Sequence, residues 1–126
     1  MTHSFPLTVY YEDTDMGGIV YHANYLKFIE RARSTWVSEL GVDQLALKAA
    51  GTVFVVRRIE SDFLAPAVLG DQLEVQSSVE AATGVRWVLR QEVFRGTQKL
   101  FEALVTVVAI GEDGKPQILP AELRRM

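Results

Sequence analysis

One change of hydrophobic period restricts the folds open to this chain. From about His22 to Leu40, the residues Tyr25, Phe28, Ile29, Ala32, Trp36 and Leu40 recur at helical spacing. Lys27, Arg31, Ser34 and Ser38 lie opposite, Glu39 intrudes at the edge of the apolar stripe, and Gly41 follows as a stop. A short helix over 44–50 closes at Gly51, and after it the apolar runs read as strands. Thr52 to Leu64 is rich in Val and Phe, and Pro66 with Gly70-Asp71 marks the turn that follows. Leu73, Val75 and Val79 alternate with Glu74, Gln76, Ser78 and Glu80, as in a half-buried strand. Thr83-Gly84 and Gly96-Thr97 punctuate two more strands, Val85–Arg95 and Leu100–Ile110. Ahead of the helix, Phe5–Tyr11 is β-branched and aromatic and reads as a strand, while Glu12–Gly18 is a polar, glycine-bearing loop. Beyond Gly111–Gly114 the tail is polar.

The predicted order is strand, helix, then four strands joined by short turns, which makes neighbouring strands antiparallel. A helix of roughly 18 residues is about 27 Å long and a strand of eight about 26 Å. One antiparallel sheet can therefore wrap one long central helix, an α+β architecture. Leu100–Ile110 is apolar on both faces, which predicts a central position. A one-helix layer cannot cover both faces of the sheet, so a homo-oligomer is expected.

At 126 residues the chain suits a single domain spanning 1–126. Its 48% hydrophobic content is enough for a packed core and excludes a disordered chain. The net charge of −3 argues against nucleic acid or an anionic membrane surface as a partner. With no cysteine, a disulfide framework and a thiol nucleophile are excluded, and a cytoplasmic setting is compatible. Two histidines without cysteines leave the usual zinc ligand sets unfilled, so no metal site is expected. The N-terminus lacks the basic flank and apolar run of a signal peptide, and no apolar stretch is long enough to span a membrane.

The chemistry gathers in YEDTDMGGIVYHANYLKFIERAR, Tyr11 to Arg33. Asp13 and Asp15 precede Gly17-Gly18, and Ile19-Val20-Tyr21 leads to His22 and the helix. A helix N-terminus offers unpaired N–H groups and a partial positive charge. A carboxylate beside such donors can act on a carbonyl that they polarise. On the residues alone, Asp15 reads as an ordinary loop aspartate bonding local N–H groups rather than as a catalytic acid. Asp13 reads as a brace of the loop. Gly17 and Gly18 suit either a close substrate approach or any tight turn. Tyr21 and Tyr25 flank the site and could shape a pocket, although Tyr25 also lies on the apolar stripe. Glu30 and Arg33 have the spacing of a structural ion pair. Arg57, Arg58, Arg86 and Arg90 are strand cations of the kind that bind phosphate. His3 lies in the terminal tail without an expected role.

YYEDTD, GGIVYHANY and ERAR, followed by FVVR, APAVLGDQLEV and a late LP, resemble the 4-hydroxybenzoyl-CoA thioesterase-like branch of the hotdog fold. The nearest likeness is to the acyl-CoA thioesterases associated with the Tol–Pal system. The resemblance implies hydrolysis of an acyl-CoA thioester to a free carboxylic acid and CoA, without a metal or organic cofactor. It implies that Asp15, the second aspartate of the D-x-D pair, is nucleophile or general base. It implies that the backbone N–H at His22 points at the thioester oxygen, with the imidazole adding a hydrogen bond or orienting Asp15. Gly18 is the more telling glycine, because many relatives carry another residue at the Gly17 position. Sites of this family lie between subunits of dimers or dimers of dimers (homotetramers). Rival readings are a thioesterase acting on an acyl carrier protein, one acting on an aromatic acyl-CoA such as 4-hydroxybenzoyl-CoA, and an acyl-CoA-binding protein without turnover.

Overall fold

The computed structural model describes all residues from Met1 to Met126. The elements in chain order are β1 (Thr2–Thr8), a 3-10 turn (Tyr11–Asp13), α1 (Asn24–Glu39), α2 (Gln44–Ala49), β2 (Thr52–Phe63), β3 (Gln72–Ala82), β4 (Arg86–Arg95), β5 (Gln98–Gly111), β6 (Pro116–Gln117) and α3 (Ala121–Arg124). All strand pairs are antiparallel. The sheet runs β1-β3-β4-β5-β2, and β6 joins β5 beyond the end of β4. β5, apolar on both faces, is interior to the sheet as its composition predicts.

The period-2 pattern sets the sheet's inner face. Leu73, Val75, Trp87, Leu89, Val93, Phe101, Ala103, Val105 and Val107 are buried, and the residues alternating with them are largely half-exposed. The helical period supplies the matching stripe: Tyr25, Phe28, Ile29, Ala32, Trp36 and Val37 of α1 are buried against that face. Trp36 meets Trp87 at a ring separation of 5.7 Å. The helix stops at Gly41, whose φ of +93° only glycine adopts cheaply. There Gly41 N–H donates to the Ser38 carbonyl at 3.0 Å and Val42 N–H to the Val37 carbonyl at 3.2 Å, which satisfies the last turn.

One polar side chain interrupts this apolar contact. Gln91 of β4 is completely buried. Its Nε2 donates to the Ile29 carbonyl and to Ser77 Oγ, and its Oε1 accepts from Arg33 Nη1, each at 2.9 Å. Apolar packing alone is non-directional and would let the helix slide. A buried carboxamide with fixed partners allows one axial position, because any other leaves polar groups unpaired.

Several sequence expectations shift. β1 begins and ends three residues early, because β3 pairs it from Thr2↔Ser78 to Thr8↔Gln72. His3 therefore faces inward, stacks on Trp36 at 5.7 Å and meets Glu39 through Nε2 at 2.5 Å, so it is not a free tail residue. The same contact accounts for Glu39 at the edge of the helix stripe. α1 starts at Asn24, with His22 and Ala23 in the turn ahead of it. The Glu30–Arg33 ion pair does not form: Arg33 is drawn inward to Gln91, and Glu30 accepts from Ser34 Oγ at 3.2 Å. The polar tail carries β6 and α3 and buries Leu119, which lies between them, and Leu123 of α3. No helix is long and apolar enough to cross a membrane.

Gln91→Ala removes the acceptor for Arg33 and the donor for Ile29 and Ser77 together. Urea unfolding should show a loss of about 1–3 kcal/mol with an unchanged slope.

Candidate active site

The site is assembled by backbone pairing between Val9 and Asn24. Val9 N–H donates to the Asp71 carbonyl and Gly70 N–H returns to the Val9 carbonyl, each at 2.9 Å, which anchors the segment to the loop before β3. The 3-10 turn then points Asp13 inward, where it is 6% exposed. Asp13 Oδ2 accepts from Tyr10 N–H at 2.8 Å. Its carbonyl accepts from Tyr21 N–H and from Asn24 Nδ2, both at 2.9 Å. Asp13 is thus the brace that its position in the sequence suggests, tying the loop to the first turn of α1.

Residues 14 to 20 form a miniature hairpin. Thr14 bridges Val20, Asp15 N–H donates to the Ile19 carbonyl at 2.9 Å, and Gly18 N–H donates to the Asp15 carbonyl at 3.0 Å. Gly18 closes the turn at φ +79°, a conformation that strains any residue with a Cβ. Gly17 N–H donates to Asp15 Oδ1 at 2.8 Å, and a Cβ on Gly17 would lie 3.1 Å from that oxygen. The hairpin is clipped to the loop before β3 through the Ile19–Val68 bridge and the 2.9 Å bond from Val20 N–H to the Ala67 carbonyl. Asp15 is solvent-exposed at its tip, one oxygen held by Gly17.

The other half of the site is the start of α1. Asn24 N–H returns to the Tyr21 carbonyl at 2.8 Å and Tyr25 N–H to the His22 carbonyl at 3.3 Å. The backbone N–H groups of His22 and Ala23 donate to no acceptor in the chain. No side chain caps this end. Two free donors at the positive end of a 16-residue helix suit an oxygen that gains negative charge. The bond from Tyr21 N–H to the Asp13 carbonyl lays this turn alongside the arm that carries Asp15.

The aromatic residues divide by burial. Tyr21 is 47% exposed and leans on the His22 ring at 4.6 Å. His22 in turn meets Phe63 edge-on at 6.1 Å. Tyr25 is 3% exposed, stacked on Phe101 at 4.9 Å, and supports this cluster from within the core. Burial pushes the Tyr25 phenol above its usual range, against the opposing backbone of Ala67 and charge of Arg95. Phe63 and Asn24 escape a reading of the sequence. Asn at a helix start was an available signal for one; no local pattern marks the other. Of the strand arginines, Arg58 pairs with Glu60 at 2.8 Å and Arg90 with Glu80 at 2.6 Å. Arg57, at the β2 bulge, and Arg86 are exposed without a carboxylate partner.

Comparison with known proteins identifies the family of the chain. Residues 17–102 match the thioesterase superfamily. The acyl-CoA thioester hydrolase YbgC of Escherichia coli is 40% identical over 121 residues, covering 94% of this chain and 90% of that protein. The crystal structure of a probable thioesterase from Bartonella henselae superposes with a TM-score of 0.90 at 37% identity, covering 95% of this chain and 100% of the other. A 1,4-dihydroxy-2-naphthoyl-CoA thioesterase from Synechocystis also gives 0.90, at 26% identity over 97% and 92% of the two chains.

Gly18→Ala forces a Cβ into the left-handed region and should cost about 1 kcal/mol of stability. Because the strain falls on the turn that holds Asp15, turnover should drop more than thermal stability does. Parallel melting and steady-state assays of the variant check this.

Proposed function

The chain belongs to the thioesterase superfamily, and we propose that its reaction is hydrolysis of acyl-CoA thioesters at the Asp15 hairpin and the start of α1. The observation that carries the assignment is the pairing of an exposed carboxylate with the free N–H groups of His22 and Ala23. A thioester carbonyl oxygen received by those donors gains charge where charge is stabilised. Asp15 then acts in one of two ways. It attacks the carbonyl carbon, expels CoA thiolate and forms a mixed anhydride that water cleaves. Alternatively it takes a proton from water, whose oxygen attacks directly. Both routes end in the free acid and CoA, and neither routes a step through a cofactor. Gly18 shapes the turn, and Tyr21 with His22 and Phe63 forms the apolar surface over which the acyl arm passes.

The functional unit is a homo-oligomer acting in the cytoplasm, a dimer or dimer of dimers, with the site between subunits. β2 supports this reading: it is a 12-residue strand at the sheet edge, with Val56 and Phe63 exposed. Unpaired edge backbone of this length is suited to a second copy of the strand. An aromatic acyl group is the favoured variant of the substrate, since a neighbour of the same shape acts on 1,4-dihydroxy-2-naphthoyl-CoA. Release of free thiol from a panel of aliphatic and aromatic acyl-CoA and acyl carrier protein thioesters tests the assignment.

Asp15→Asn keeps the shape but can neither attack nor take a proton. Its kcat should fall more than about a hundredfold with little change in substrate binding. His22→Ala keeps the backbone donor and should lose less activity than His22→Pro, which removes it. The comparison counts when circular dichroism and oligomer size match the wild type; equal loss would move the catalytic role to the imidazole. Sedimentation at micromolar concentration should show no active 14.1 kDa monomer.

A further inference from the structure

Residues 64–71 join β2 to β3 and carry both arms of the segment that holds Asp15. On the entry arm, Val9 N–H donates to the Asp71 carbonyl and Gly70 N–H returns to the Val9 carbonyl. On the exit arm, Ile19 bridges Val68 and Val20 N–H donates to the Ala67 carbonyl. Outside the hairpin itself, Ile19 and Val20 have no other backbone partner. The loop has no ladder of its own, so the groups it bonds set its shape. One end is held by β5, where the Leu100 carbonyl accepts from Leu64 and Ala65 N–H at 2.8 and 3.1 Å. The rest is held by one side chain, Arg95.

Arg95 is the last residue of β4. Its Nη1 donates to Asp71 Oδ2 at 2.7 Å and to the Pro66 carbonyl at 3.3 Å, and its Nη2 donates to Gln98 Oε1 at 2.8 Å. Asp71 Oδ2 also accepts from Val68 N–H at 2.9 Å. The guanidinium thus spans the loop from Pro66 to Asp71 and fastens it to the turn between β4 and β5. The Val68 N–H and Arg95 hold the Asp71 carboxyl below its usual range against burial, so the pair stays charged through neutral pH. Neither side chain bonds Asp15, whose carboxylate accepts from Gly17 N–H. The acid and the donors nevertheless rest on different supports. The free N–H groups of His22 and Ala23 ride on α1, which Gln91 seats. The exit arm beyond Asp15 rides on the 64–71 loop, which Arg95 seats.

We propose that Arg95 and Asp71 are positioning residues for the reaction, and that their clamp on the 64–71 loop holds Asp15 in register with the N–H groups at the start of α1. This proposal rests on the thioesterase reading and adds to it two residues that lie outside the site.

The test compares Arg95→Met with Lys99→Met. Lys99 makes ion pairs just as close, at 2.9 Å to Glu92 and 2.7 Å to Glu102, and its side chain is 34% exposed against 35% for Arg95, yet it bonds nothing in the loop. Loss of an ion pair as such therefore acts alike in both variants. Arg95→Met should lower kcat on acyl-CoA about tenfold to a hundredfold with KM changed less than about twofold, because a displaced acid costs rate rather than binding. Lys99→Met should keep the wild-type kcat. Arg95→Lys, which keeps a donor for Asp71, should recover part of the loss and serves if the methionine variant does not fold. Asp71→Ala should lose as much as Arg95→Met, and the double variant no more than the larger single one, since both remove one clamp. Hydrogen exchange at the Asp15 and Val20 amides should quicken in Arg95→Met and not in Lys99→Met, with the β4–β5 ladder unchanged in both. Wild-type kcat in the Arg95 and Asp71 variants, an equal loss in Lys99→Met, or unaltered exchange at Asp15 and Val20 overturns the positioning role and leaves the thioesterase reading intact. Absence of hydrolysis of any acyl-CoA by the wild type overturns that reading and the positioning role with it.

Discussion

The seating of α1 on the sheet controls the rest of the structure. Its apolar stripe supplies the driving force, and Gln91 supplies the position, since one carboxamide bonds the helix at Ile29 and Arg33 and the neighbouring strand at Ser77. Hydrophobic contact between a smooth stripe and a smooth sheet face tolerates a shift; a buried, fully partnered amide does not. Fixing the helix along its axis also fixes where its first turn lies, and that end carries the free N–H groups of His22 and Ala23.

The hairpin at residues 14–20 is the second half of that constraint. It has too few residues to be stable by itself. It is ordered through its neighbours: Asp13 ties it to Tyr21 and Asn24, and Val68 and Ala67 hold its far arm. Asp71, which anchors the start of this segment through its carbonyl, is itself held by Arg95 at 2.7 Å. Its carboxyl is kept below the usual range by the Val68 N–H and by Arg95. An exposed carboxylate thus rests on a rigid mount, and the helix N-terminus beside it is free because no side chain caps it. A cap would stabilise the helix by about 1 kcal/mol and compete for the donors that the proposed reaction needs.

Most of the architecture was legible in period alone. The helical stripe, the alternation in β3 and the two-sided apolar run of β5 are local patterns, and each appears in the structure as an element of that kind. What was not legible depends on partners distant in sequence. β1 is placed by its register with β3, which no property of residues 2–4 announces, and His3 acquires Trp36 and Glu39 as neighbours only through that register. Arg33 and Glu30 look like an ion pair at helical spacing, yet the arginine turns to a buried amide 58 residues away. The tail reads as polar because two buried leucines are too few to set a period. At the site, the D-x-D and Gly-Gly pattern located the loop correctly. That Asp13 is buried and Asp15 exposed needed the backbone path. So did the contribution of Phe63, which arrives from a different strand.

The central claim is that the free N–H groups of His22 and Ala23 receive the thioester oxygen. Amide spectra of the ¹⁵N-labelled protein, recorded during titration with a non-hydrolysable acyl-CoA analogue that keeps the carbonyl and replaces the sulfur by methylene, test it most directly. The account predicts saturable downfield proton shifts at the His22 and Ala23 amides, larger than at any other position of α1. Saturable binding that leaves both amides unmoved would contradict it.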